Sequence, residues 1–246
     1  MTINEDKDYG NFRTIRLKEI EGSRESVKIH LISTIKDHFT RPQRIQNYID
    51  SEKFERLASY ISNRIPVKDS IRKGDFGEII STEHLMQNYS YDFPVFKLRD
   101  KPNPDSSVPG EDILAFKIND NKIERLCVGE AKTYSRYAGI VVEEAHDRLK
   151  RAYKPHPTSL TFISDKLSED PDTMALAEEI EGLIGKLGKE KFPRDNWIFF
   201  ITGNRPRDPF EKIKNEHEVV ENLTIVNLHL PELSNFINEL FDECRE

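Results

Sequence analysis

Cysteine is scarce, with Cys127 and Cys244 the only two in 246 residues, too few for a disulfide framework. Long apolar runs are missing as well. No window approaches the roughly 18 apolar residues that a membrane-spanning helix needs. The opening segment Met1–Asp8 is acidic and lacks an apolar stretch, so no signal peptide is expected. A cytoplasmic protein with no membrane partner follows as the expectation. A basic excess is also lacking: 37 Lys and Arg stand against 44 Asp and Glu, a net charge of −7. Autonomous, sequence-independent nucleic-acid binders usually carry the opposite balance, because phosphate neutralisation dominates their affinity. The histidines, among them His30, His84 and His217, form no zinc-spaced set with the cysteines. No Gly-x-Ser-x-Gly elbow supports a serine hydrolase. Gly74 and Gly77 belong to no Walker pattern and read as glycines that permit close packing at a helix start. No small-molecule cofactor is expected.

Hydrophobic residues at 36% and charged residues at 33% describe a polar chain that is still long enough to bury a sizeable core. Val27, Ile29, Leu31, Ile32 and Ile35 suggest a strand running into a helix, and Ile45, Ile49, Phe54, Leu57, Tyr60 and Ile61 a helical face. Residues 1–72 are read as an N-terminal α/β extension, a possible partner-binding layer, and 73–246 as the core. In the core, Gly74–Glu78 opens a helix carrying Ile79, Ile80, His84 and Leu85, and Phe93–Leu98 is a strand candidate. After a loop rich in Pro, Asp112–Ile118 and Ile123–Ala131 form a hairpin about the turn Asn119–Asn121. A helix over Ile140–Tyr153, closed by Pro155 and Pro157, comes next, and Leu160–Ile163 reads as a short strand or turn. An amphipathic helix over Thr173–Leu187, strands at Trp197–Thr202 and Leu223–Leu228, and a helix over Pro231–Glu243 complete the chain. The order implies an α/β fold, a mixed central sheet flanked by helices.

Residues two apart on a strand point to one face. Leu126, Val128, Glu130 and Lys132 therefore share a face, and two charges ending an apolar strand require an explanation. Of three [DE]-x-K matches, Glu5-Asp6-Lys7 lies in a polar tail and Asp120-Asn121-Lys122 in a turn. Only Glu130-Ala131-Lys132 ends a buried strand. In an antiparallel hairpin the start of one strand lies beside the end of its partner, so Asp112 and Glu130 can converge on one metal ion. Glu111 competes for that role, since a one-residue register slip exchanges the two. Glu78, on the helix before the sheet, can close the cluster. Glu143, Glu144, His146 and Asp147 read as a solvated face, and Lys150, Arg151 and Lys154 as a basic face or phosphate contacts.

Helix Glu, strand Asp and strand E-x-K in this order resemble the PD-(D/E)xK nuclease superfamily, with its restriction-endonuclease-like fold. More narrowly, Lys73–Glu78, Val108–Asp112 and Val128–Lys132 are similar to the HamA family, the nuclease component of the Hachiman anti-phage defence system. The resemblance covers Lys73–Tyr153 and extends toward the C-terminus, with a looser match before Lys73. It implies Asp112 and Glu130 as metal ligands, Lys132 as the catalytic lysine, Glu78 as a helix carboxylate at the site, and a helicase partner. The resulting expectation is hydrolysis of DNA phosphodiester bonds with Mg²⁺ or Mn²⁺, held by Asp112, Glu130 and the Ala131 backbone carbonyl. Lys132 would orient the attacking water. The acidic surface points to weak or regulated activity without the partner. Two alternatives stay open: a non-catalytic regulatory subunit with a nuclease-like fold, and a nuclease acting on RNA.

Overall fold

The computed structural model describes residues 1–246 apart from 138, 152–156, 188–191 and 217, so the expectations resting on Tyr153, Lys154, Pro155 and His217 lie outside the described residues. The chain opens with an antiparallel pair, β1 (Thr2–Asp8) and β2 (Phe12–Lys18). Helices α1 (Arg24–Phe39), α2 (Pro42–Asp50), α3 (Phe54–Ser62) and the long α4 (Asp69–Tyr89) follow. A hairpin of β3 (Ile113–Asn119) and β4 (Lys122–Tyr134) comes next, then α5 (Ile140–Arg151), α6 (Ser159–Ser168) and α7 (Met174–Leu187). The chain continues with β5 (Arg194–Thr202), the short α8 (Glu211–Lys214), β6 (Leu223–His229) and α9 (Leu233–Glu243).

Among the described residues six strands form one mixed sheet, ordered β1-β2-β6-β5-β4-β3. The run β2-β6-β5-β4 is parallel, and an antiparallel partner closes each edge. Parallel strands need cover on both faces, and both are covered. On one face α1, α4 and α9 bury Ile35, Phe76, Ile79 and Ile237 against Ile15, Cys127 and Phe199. On the other, α5, α6 and α7 bury Val142, Leu160 and Ile180 against Leu126, Val128 and Phe200. The alternation expected along β4 is thus observed. Among the described residues, no helix is long and apolar enough to cross a membrane.

β3 and β4 are joined by a two-residue turn, Asp120-Asn121, with both residues at positive φ (48° and 60°) and Asn119 paired with Lys122, and a one-residue shift between Lys117 and Ile118 then fixes the register at the far end. Asn and Asp tolerate that conformation well, and such a turn matches the twist of the flanking strands. Ile113 pairs with Gly129, so β4 runs from Glu130 to Tyr134 beyond the end of its neighbour. That open edge positions the site.

Several local expectations are corrected. Residues 27–35 do not form a strand running into a helix. They lie within α1, of which Ile35 and Phe39 are fully buried while Val27 and Ile29 are 40% and 75% exposed. The β-branched cluster marks an uncovered helix face, not a buried strand. The strands β1 and β2 escape the period-2 reading because β2 is buried on both faces and its charges reach outward. Arg13 pairs with Asp6, and Arg16 donates to the Pro206 and Arg207 carbonyls. Because β2 lies inside the sheet, residues 1–72 contribute to the same sheet and core as the rest, and position 72 falls within α4. Phe93–Leu98 is not a strand. Asp92 forms one isolated bridge to Phe116, Pro94 has no N–H to continue it, and a 3-10 turn begins at Lys97. Leu160–Ile163 lies within α6. Gly74 and Gly77 sit inside α4, which begins at Asp69, although close packing does occur: a Cβ on Gly77 would meet Thr133 Oγ1 at 2.5 Å.

Two glycines give opposite expectations in equilibrium denaturation. A Cβ on Gly129 would lie 2.9 Å from the Trp197 carbonyl oxygen and 3.0 Å from Ile113 Cδ1, so Gly129→Ala should cost about 1–3 kcal/mol. Gly74 has nothing within 4 Å, so Gly74→Ala should stabilise α4 by about 0.5–1 kcal/mol. Equal midpoints for the two variants would contradict this packing.

Candidate active site

The site assembles where β4 outruns β3. In strand geometry one residue presents its N–H and C=O toward the same neighbour. The Ala131 N–H, lacking a β3 partner, donates to Asp112 Oδ2 at 2.9 Å, so the Ala131 carbonyl faces the same edge. Lys132 Nζ lies 2.9 Å from Glu130 Oε2 and 3.4 Å from Asp112 Oδ2, one ammonium between two carboxylates. Arg148, from α5, reaches Glu130 Oε2 at 3.5 Å. A cleft of about 560 Å³ opens at the carboxyl end of β4, lined by Asp112, Ala131, Lys132, Glu78, Asp75 and Lys73 among others. The carboxyl ends of parallel strands are the usual place for ligands in open α/β sheets.

Burial explains the electrostatics. Glu130 is 4% exposed. Desolvation first, and then the charge of Asp112, push its carboxyl above the ordinary value, while Lys132 and Arg148 pull against that rise. Burial drags the Lys132 ammonium down, yet Asp112 and Glu130 outweigh it and hold the lysine above its ordinary value. Lys132 is thus held as an ammonium that donates to both carboxylates.

Glu78 projects from α4, on the opposite side of the sheet from Glu130, into this cleft, whose lining includes Asp112 and Lys132 but not Glu130. It lies in the third turn of α4, so the favourable dipole of a helix start does not account for it. Burial raises its carboxyl to about 7, against the pull of Lys97, whose Nζ is 3.8 Å away. Asp75, one turn earlier, is raised to about 6 by burial although Lys101 Nζ stands 2.5 Å from it.

Glu111 and Asp112 are separated by the chain's path. Gly110 takes φ 104°, a backbone only glycine adopts readily, and Glu111 then meets the start of α6. Its carboxylate accepts the N–H groups of Thr158 and Ser159 at 3.1 and 3.0 Å. Burial alone would raise this acid, but those donors hold it below the usual range. Its neighbour Asp112 faces Glu130 and Lys132.

Sequence reasoning missed Arg148, Lys97 and Lys101. Only Arg148 carried a signal: it flanks the buried face of α5 made by Val141, Ala145 and Leu149. Three other polar groups of α5 are engaged elsewhere. Glu143 pairs with Lys212 at 3.2 Å, Lys150 with Glu216 at 3.7 Å, and His146, expected on a solvated face, is buried and accepts the Val220 N–H at 3.2 Å.

The donor set discriminates between metals. Among the described residues, no group of three or more His, Cys, Asp or Glu side chains stands ready for a metal, so a zinc cage has no support. Two carboxylates and a backbone carbonyl fit Mg²⁺ or Mn²⁺, hard cations that keep several waters.

The HamA family profile matches residues 2–244. The chain belongs to the HamA family. A relative, the Hachiman protein HamA of Bacillus cereus, is 27% identical over 246 aligned residues, spanning 97% of this chain and 87% of that protein. The HamA match extends beyond Lys73–Tyr153 in both directions and takes in the strands β1 and β2.

In metal-free protein, Glu78 should make stability pH-dependent. Between about pH 4.5 and about 7 the folded state retains a proton that the unfolded chain has lost, so stability falls as pH rises and levels off above that window. The full effect is roughly 3 kcal/mol. Denaturation in EDTA should show this slope reduced in Glu78→Gln, and an unchanged slope would contradict the assignment.

Proposed function

We propose that this chain is a metal-dependent nuclease that hydrolyses DNA phosphodiester bonds in a Hachiman anti-phage system, working with a helicase partner. The observation that carries the reading is the convergence of Asp112, Glu130 and Lys132 at the open edge of β4. A helix carboxylate, a strand aspartate and E-x-K, arranged around a parallel sheet, support a PD-(D/E)xK core. Membership in the HamA family and the name of the Bacillus cereus relative support the defence role.

In this reading Asp112, Glu130 and the Ala131 carbonyl would hold Mg²⁺ or Mn²⁺. The ion supplies Lewis acidity toward a phosphate oxygen and lowers the pKa of bound water. Lys132, kept protonated by its two acidic neighbours, donates to the attacking water or to the charge growing on the phosphoryl oxygens. Glu78, with a carboxyl near 7, is suited to take up the proton released by that water. Arg148 adds a second cation on the α5 side. The net charge of −7 supports dependence on a partner for nucleic-acid affinity. Residues 1–72 are the proposed partner-facing part, with Val27 and Ile29 exposed on α1.

Plasmid nicking by this chain together with its helicase partner in Mg²⁺ tests the proposal. Glu130→Ala and Lys132→Ala should each lower the rate by at least about a hundredfold, and chelation should abolish it. Full activity in both variants would remove the assignment. Parallel digestion of RNA decides the substrate: faster cleavage of RNA than of DNA would replace deoxyribonuclease with ribonuclease.

A further inference from the structure

A second cleft, of about 790 Å³, opens where α2 and α3 face the 3-10 turn Lys97–Asp100 and the end of α6. Six cationic side chains and three carboxylates line it, in a chain whose net charge is −7. Asp100 is shared by two of the cations, pairing with Arg41 and standing 3.4 Å from Lys166. Three guanidiniums, those of Arg44, Arg64 and Arg99, form no direct ion pair with a carboxylate among the described residues. Arg44 lies over the Tyr60 ring at 5.0 Å. Arg99 lies over the Phe96 ring at 4.6 Å and gives its N–H groups to the Asp37 carbonyl at 3.0 and 2.9 Å. Arg64 donates to the carbonyls of Phe39, Arg99 and Lys101. Burial, helped by the positive charge of Arg41, holds Arg99 below its ordinary value against the pull of Asp37 and Asp100.

The rings act as supports here, not as platforms. His38 stacks on Phe96 at 4.2 Å while Arg99 covers it at 4.6 Å, so the ring's two faces are taken. What the groove offers a ligand is the exposed guanidinium of Arg44 and the N–H groups of Arg64 and Arg99 that their carbonyl partners leave over, all of them charged donors to phosphate. Its volume is far beyond a single phosphate and suits a run of them. The groove also shares a wall with the carboxylate cleft: Lys101 lines the former while its ammonium holds Asp75 in the latter.

We infer that this groove binds the phosphate chain of a nucleic-acid strand, as a guiding surface separate from the carboxylate cleft. The choice of a nucleic acid rests on the proposed nuclease reading, but strand binding is measured with metal chelated and does not require the chemistry. Loss of the nuclease reading would appear in the nicking assay alone, and loss of the groove in binding alone.

The test is fluorescence anisotropy of a labelled single-stranded DNA on the full chain in EDTA at low ionic strength. Arg44→Glu removes an exposed cation, and Gln43→Glu adds a carboxylate to the rim without removing any contact. Each should weaken binding by at least about tenfold with unchanged thermal unfolding, and Arg44→Glu should lower the salt slope by about one. Absence of strand binding, or equal binding by both variants, would overturn the inference. Pyrophosphate or a nucleoside triphosphate binding in place of the strand would overturn the strand as occupant, as would tighter binding of an acidic peptide.

Discussion

Lys132 bridges two carboxylates that would otherwise repel each other at a buried sheet edge. Two unit charges about 4 Å apart interact by roughly 4 kcal/mol at an effective dielectric near 20. The ammonium, at 2.9 and 3.4 Å from its partners, turns that repulsion into attraction. Its raised pKa says which effect wins: burial penalises the charge, and the two acids more than offset the penalty. The balance is local: removing Lys132 would leave the two carboxylates facing each other, whereas removing one acid would leave the ammonium paired with the other.

The rest of the fold serves that point. The Asp120-Asn121 turn closes the hairpin, and the one-residue register shift between Lys117 and Ile118 then brings Asp112 opposite Glu130. The early end of β3 leaves the Ala131 backbone facing Asp112. Gly129 lets β5 and Ile113 close tightly beside Glu130, and Gly77 lets α4 approach β4 so that Glu78 enters the cleft from the other face. The start of α6, meanwhile, engages Glu111 and so separates two adjacent acids into two roles, one structural and one facing the cleft.

The features legible in the sequence were those governed by short-range rules. Period-2 alternation located Glu130 and Lys132, and hairpin geometry placed Asp112 beside them. The choice between Glu111 and Asp112 was not legible, because it turns on α6, which is distant in sequence and was itself read as a strand or turn. Arg148, Lys97 and Lys101 stayed hidden for the same reason: their partners come from other elements. The strands β1 and β2 were concealed by charges that find long-range partners, as Arg16 does at 206 and 207. In α1 the apolar composition was right, but a face left uncovered looked like a strand to be buried.

The central claim is that the pair bridged by Lys132 is a divalent-cation site. Crystals soaked in Mn²⁺ and measured at the manganese absorption edge address it most directly. The expected result is a single anomalous peak bounded by Asp112, Glu130 and the Ala131 carbonyl, with the Lys132 ammonium moved out from between the carboxylates. A saturating soak that leaves Lys132 bridging the two acids, with no peak beside them, would contradict it.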